Sequence, residues 1–596
     1  MKRCWLVLIL FITACSGIME EQWVSPVPPQ KIEQVLVAEA SPKKGAKAAL
    51  KLGLEPAALP APAQIMDQTL PFEVLIHPDG SLYVGDRISM EVVALGENSA
   101  EDRRVKISRA DTGEVLVEGE PFQPYGIGSR DQVTLTWFWD TSGLESGDYE
   151  LNLSVQPDGI HWFERITLHP AESKPPGENN AGWKSVRKEC CIIHYISGTP
   201  ADRDIDNLVE IAEREVDSVS RQMGYKLEEP ISITFFPRVL GHGGFARSDI
   251  SVAYLSRNYA GSSPGIVLHH EVVHALDARI GGELRPTILS EGLAVYLSGG
   301  HFKREALMRR SAALLDPSPA CLVRLTAFEA GPDSQVCGLG WFLPLEGLSD
   351  IFYLSQHEIG YLEAGALVEY MVATWGWERF LSFYRDIHPD GDGENHSGAL
   401  DKALRDHFGI SLDGLQAAFT AALRDQELEP NHIRDVRYMV AFYNAVRRYQ
   451  ELLDPSAHFL TAWLPDNDRM RELGILADYL RRPSELENIA LEAMLVEADF
   501  HLDNGEYDLA AEILAAVYSV LDGIQAGSAR PFEIDSTSAD YFLIAEVLDS
   551  AGMVPNRISL KGDQARAWVS YSGPEVQKID LIATLGGWSL ITQAGY

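Results

Sequence analysis

The stretch LHHEVVHALD, Leu268 to Asp277, places three histidines and a glutamate within six residues. Imidazole nitrogen and carboxylate oxygen are the donors that hold divalent metals such as zinc. On an α-helix, residues four apart are separated by about 40° around the axis and about 6 Å along it, so His270 and His274 can reach one ion. Glu271 falls about 100° from His270 and about 60° from His274, where it can hold a water beside that ion without binding it. His269 lies about 100° to the other side of His270 and about 140° from His274, as a packing or supporting residue and not a ligand. The chemistry within reach is activation of water by a metal, with a carboxylate as base.

Two histidines are too few, because catalytic zinc normally has three protein ligands and one open position. In the longer H-E-x-x-H-x-x-G-x-x-H pattern a glycine and a third histidine follow, but Asp277 and Ile280 stand there, which excludes that arrangement. The next segment, PTILSEGLAVYLSGG, offers Glu291, with 16 residues between it and His274. A carboxylate flanked by Ile288, Leu289, Ala294 and Val295 is costly to bury unless it is paired or ligates a metal.

The elements that must position these groups can be read locally. Ser263 and Pro264 supply an N-cap and first-turn proline, Leu268, Val272, Val273 and Leu276 the apolar positions, and Gly281-Gly282 a stop, giving a helix of about four turns. Pro286 opens a second helix with Glu291 at its middle, and Gly299-Gly300 closes it. Upstream, KECCIIHYI and PISITFFPRV read as strands around a helical RDIDNLVEIAEREVDSVSRQMGY, and DISVAYLSR as a further strand. The glycine-rich GHGGFARS between them is a flap or a tight loop, without the spacing of a phosphate-binding loop.

At 596 residues the chain exceeds a single core, and its 46% hydrophobic content allows several. Net charge is -36, from 86 acidic and 50 basic residues with no basic stripe, which excludes nucleic acid as a partner. Residues 1–14 read as an export signal, with Lys2 and Arg3 before an apolar run too short to span a membrane. Residues 15–69, rich in Ala, Pro and Lys, form a tether. Residues 70–169 alternate β-rich runs with PDG, DTG and ESGD turns, as in an immunoglobulin-like β-sandwich. A linker at 170–182 precedes the α+β unit at 183–427, whose C-terminal part is helical. A helical region at 428–552 contains one tetratricopeptide-like pair around Gly505 and Tyr507, and 553–596 is a small β-rich segment. Export allows disulfides: Cys321 and Cys337 bracket a loop-like segment and can pair, whereas at least one of the adjacent Cys190 and Cys191 is expected as a buried small hydrophobe.

Two resemblances follow from these residues. ITAC, Ile12 to Cys15, resembles the lipobox of bacterial lipoproteins, which implies a lipid on Cys15 after signal cleavage. With Ser16 next, it also implies placement at the outer membrane or cell surface. HEVVH followed by LSEGLAVYL resembles the gluzincin metallopeptidases, and within them the peptidase-MA-like domains of bacterial envelope proteins, over roughly residues 186–427. The second resemblance implies a zincin-like fold and one zinc ion per chain held by His270, His274 and Glu291. It also implies Glu271 as general base and a peptide or protein as substrate. In that family the strand before the metal helix borders the cleft, which assigns the role to Asp249–Arg257. Tyr361 is the candidate for stabilising the oxyanion and Tyr296 the runner-up. Several members carry an acidic residue four positions after the glutamate ligand; Val295 stands there, leaving Asp277 or a backbone carbonyl to orient a histidine. The competing reading is a non-catalytic or weakly active envelope lipoprotein that binds a partner through the sandwich or helical region.

Overall fold

The computed structural model describes residues 71–591, apart from 96–101, 248, 262, 302, 317–337, 356, 390–395 and 572. Cys15, Cys321 and Cys337, with the export signal and the tether, lie outside the described residues. The chain is multidomain: a strand-rich N-terminal region, a central helical region built on one sheet, and a C-terminal β-sheet.

The N-terminal region has two sheets, of four and five strands. Alternate residues of Arg87–Ala94 (Ile88, Met90, Val92) and of Gly147–Gln156 (Leu151, Leu153, Val155) meet in one core, as period-2 side-chain alternation requires.

The central sheet runs in the order 183–187, 191–196, 231–236, 250–253, 244–246. Its middle strands are parallel and nearly continuous in apolar residues, with Ile231–Phe236 and Ile250–Ala253 sandwiched between helices. Ile250–Ala253 is therefore interior, and the border strand is Gly244–Ala246, antiparallel to it. The glycine-rich segment read as a flap or tight loop thus supplies the sheet's edge. Periodicity cannot announce a three-residue strand. Cys191 starts a strand and is buried, and its sulfur is bonded to that of Cys190.

The helix Pro430–Leu453 joins the two halves of the helical mass. Ile433, Val436 and Val440 pack into the core around the central sheet, while Met439, Tyr443 and Tyr449 pack with the helices Leu486–Asp503, Tyr507–Gln525 and Ser536–Ser550. The last three helices share their core with the C-terminal antiparallel meander, through Ile558, Ala567 and Leu581.

Buried ion pairs tie the regions together. Arg238, fully buried after the strand Ile231–Phe236, pairs with Asp79 of the N-terminal region and, at 3.1 Å, with Asp454 beyond the Pro430–Leu453 helix. Arg481 bonds Asp86 at 2.5 Å and Glu178 at 2.6 Å, pinning the 170–182 segment. Unpaired, such charges would be costly in the interior, so these pairs favour the way the regions meet.

Candidate metal centre

The helix Pro264–Ile280 forms between Ser263 and Gly281, and Thr287–Ser298 ends at Gly299, in the left-handed conformation with φ +75°. The second helix lies close against a third, His357–Trp375, because two glycines remove the obstacle. A Cβ on Gly292 would collide with the Ala364 carbonyl oxygen and lie 2.9 Å from Val368 Cγ2, and one on Gly365 would collide with Val295. Gly292 follows Glu291 directly, so this close approach sets where the carboxylate points.

His270, His274 and Glu291 meet as their spacing implies. His270 Nε2 lies 3.2 Å and His274 Nε2 3.1 Å from the same oxygen, Glu291 Oε2, with 3.0 Å between the two nitrogens. Among the described residues this is the one group of three with the make-up and spacing to hold a metal ion. The donor set fits that role, since three electron-rich atoms converging on one point repel unless a cation or proton lies among them. His269 points elsewhere: its Nδ1 is 2.9 Å from Glu215 Oε2 and its Nε2 2.9 Å from Gln222 Oε1, both on the helix Ile205–Met223.

The trio balances its own charge. Burial opposes ionisation of Glu291, but His274 and His270 outweigh it and hold the carboxyl well below its usual range. Burial likewise opposes the charge on His274, yet Glu291 holds it up at about 9, while burial pushes His270 down to about 4. Burial pushes Glu271 up to about 8, against the pull of His274. Glu271 is not among the three convergent ligands; it lines the cleft beside them, under the border strand, where a Cβ on Gly244 would come 3.2 Å from Glu271 Cγ.

Tyr353, which sequence reasoning missed, donates its phenolic hydrogen to Glu291 Oε1 at 2.5 Å. It sits in the short Phe352–Leu354 turn, without periodicity to mark it. Tyr361 is buried on the cleft wall, stacked on His301 at 3.9 Å with its ring 6.1 Å from that of His270. Tyr296 lies apart, lining a different cavity with Gln222 and Glu369. Asp277 accepts from Tyr384 at 2.9 Å and Arg285 at 3.2 Å and has no hydrogen bond from either metal-site histidine; His270 Nδ1 is buried with no partner among the described residues. Asp277 thus braces the C-terminal end of the helix and does not orient a histidine.

The site opens into a cleft of 730 Å³ walled by pieces of three regions. Phe245 and Arg247 come from the border strand and the residue after it, Ile127 from the N-terminal region, and Phe459 and Leu460 from the loop after Pro430–Leu453. The contact is direct: Gly128 N donates to Leu460 O at 2.8 Å, and Tyr125 Oη donates to Ala462 O at 3.1 Å. No helix among the described residues is long and apolar enough to cross a membrane. No family model matches the chain, and no curated protein matches it.

Proposed function

We propose that the chain is a zinc peptidase of the gluzincin kind. In this reading the central unit is zincin-like, the N-terminal sheets are an immunoglobulin-like sandwich, and a lipid on Cys15 holds the protein at the envelope surface. The observation that carries the proposal is the convergence of His270, His274 and Glu291 with Glu271 beside them on the wall of one cleft. A closed structural site has no use for an adjacent carboxylate, whereas water-activating chemistry requires one.

Zinc, when bound there, would supply Lewis acidity toward the scissile carbonyl and make water acidic. His270, His274 and Glu291 would hold it, and Tyr353 keeps Glu291 turned by taking its second oxygen. Glu271 takes the proton of the attacking water and returns it to the departing amine, so no net proton is consumed within the cycle. The Gly244–Ala246 strand offers an edge for an extended substrate backbone. Tyr361, buried on the same wall, would donate toward a developing oxyanion.

The test pairs metal analysis with cleavage. The full chain should purify with about one zinc, and a peptide library should be cut in a chelator-sensitive way. Glu271→Gln should keep the metal and lose the cutting. A chain that takes up no metal, or a metal-loaded chain that cuts nothing, overturns the proposal.

A further inference from the structure

One charged side chain beside the cleft has no counterpart among the described residues. Arg447, on the helix Pro430–Leu453, lays its guanidinium 4.4 Å from the centre of the Phe459 ring, and its Nε and Nη2 are buried without a hydrogen-bond partner. No carboxylate among the described residues pairs with it. Arginines that are buried whole do find acids: Arg238 has Asp79 and Asp454, Arg257 has Glu492, and Arg481 has Asp86 and Glu178. In a chain with 86 acidic residues, acids to pair with were abundant. Burial pulls the Arg447 guanidinium down to about 10, which still leaves it charged at neutral pH.

The position is as telling as the isolation. Phe459 stands 3.9 Å from the His242 ring, and Phe459, His242 and Tyr361 all line the cleft. His301, stacked on Tyr361, lies 5.5 Å from the His270 ring. A run of ring contacts, from Phe459 to His242 to His301 to His270, therefore connects the guanidinium's surroundings to the metal centre. A half-buried cation whose Nε and Nη2 are buried without a partner costs stability, and such costs persist where a ligand supplies the missing acceptor.

Building on the peptidase reading, we infer that Arg447 is the cleft's carboxylate receptor, so that preferred substrates present a carboxylate to it, from a free C-terminus or an acidic side chain. A bidentate guanidinium–carboxylate pair formed in a water-poor site is strong and geometrically selective, and would set the position of the scissile bond along the cleft.

The test separates this from turnover by using the Glu271→Gln chain with and without zinc. Three pools of N-acetylated tripeptides are compared by equilibrium dialysis with mass-spectrometric readout: neutral residues with a free C-terminus, the same peptides amidated, and amidated peptides carrying one glutamate. At least one carboxylate-bearing pool should be retained about tenfold over the neutral amides, and which one identifies the source. Arg447→Met should bring that ratio within twofold while raising the melting temperature or leaving it unchanged; Arg447→Lys should keep part of the ratio. If Met prevents folding, Arg447→Gln carries the same comparison. Equal retention of all three pools, or a ratio that survives loss of the guanidinium, overturns the inference. A ratio that holds while the wild-type chain cuts no peptide overturns the peptidase reading and leaves the receptor standing.

Discussion

Tyr353 and Glu291 divide one carboxylate between two tasks: the phenol takes Oε1 at 2.5 Å, and Oε2 faces the two histidines. A carboxylate held on one oxygen has lost most of its rotational freedom before any metal arrives, which is how supporting hydrogen bonds tighten metal sites. Tyr353→Phe removes that hold without emptying the space. Zinc affinity, measured by competition with a chromogenic chelator, should fall about tenfold to hundredfold with little change in melting temperature. Unchanged affinity would mean that packing alone orients Glu291.

Gly292 is where helix packing and ligand placement meet. Gly292→Ala must push the Thr287–Ser298 helix off the Ala364 carbonyl, at a cost of about 1–3 kcal/mol. Because Glu291 moves with that helix, metal affinity should drop together with the melting temperature. Gly347→Ala, in the helix Leu345–Asp350 where an added methyl meets open space, is the matched control and should leave metal affinity unchanged without lowering the melting temperature.

Asp454 gives stability a readable pH dependence. Burial, opposed by Arg238, raises its carboxyl from 3.8 to about 6 in the folded chain. Between those values the folded state keeps a proton that the unfolded state has released, so this group's contribution is complete below about pH 4 and declines as pH rises to about 6. The decline should total about 3 kcal/mol. Denaturant titrations of wild type and Asp454→Asn across pH 4–7 should diverge over that window and run parallel above it. Curves that stay parallel throughout would place the Asp454 pKa near its ordinary value.

What could be read from the sequence was what is local. The Pro264–Ile280 helix and the ligand spacing of His270 and His274 depend on one turn of backbone, and Glu291 on the short return that follows; all three meet in the fold. Tyr353 carries no pattern because it sits in a single turn, and its partner is 62 positions away in sequence. The border of the sheet was misplaced onto Asp249–Arg257 because strand order is decided by tertiary pairing, and a three-residue strand leaves no periodic trace. Asp277 looked available to steer a histidine until Tyr384 and Arg285, brought in from outside the helix, were seen to claim it. Arg447 was invisible for the same reason: an unpaired charge can be recognised only when every neighbour is known.

The bond from Gly128 to Leu460 joins two segments that no reading by domains would connect, and both border the cleft. The cleft is therefore a property of the assembled chain and not a portable module. Cutting the protein at the 170–182 segment would not yield a smaller chain with the same cleft. The fragment would lose Ile127 from its cleft and the Asp79 partner of Arg238 from its interior, and would bind a different set of molecules for that reason.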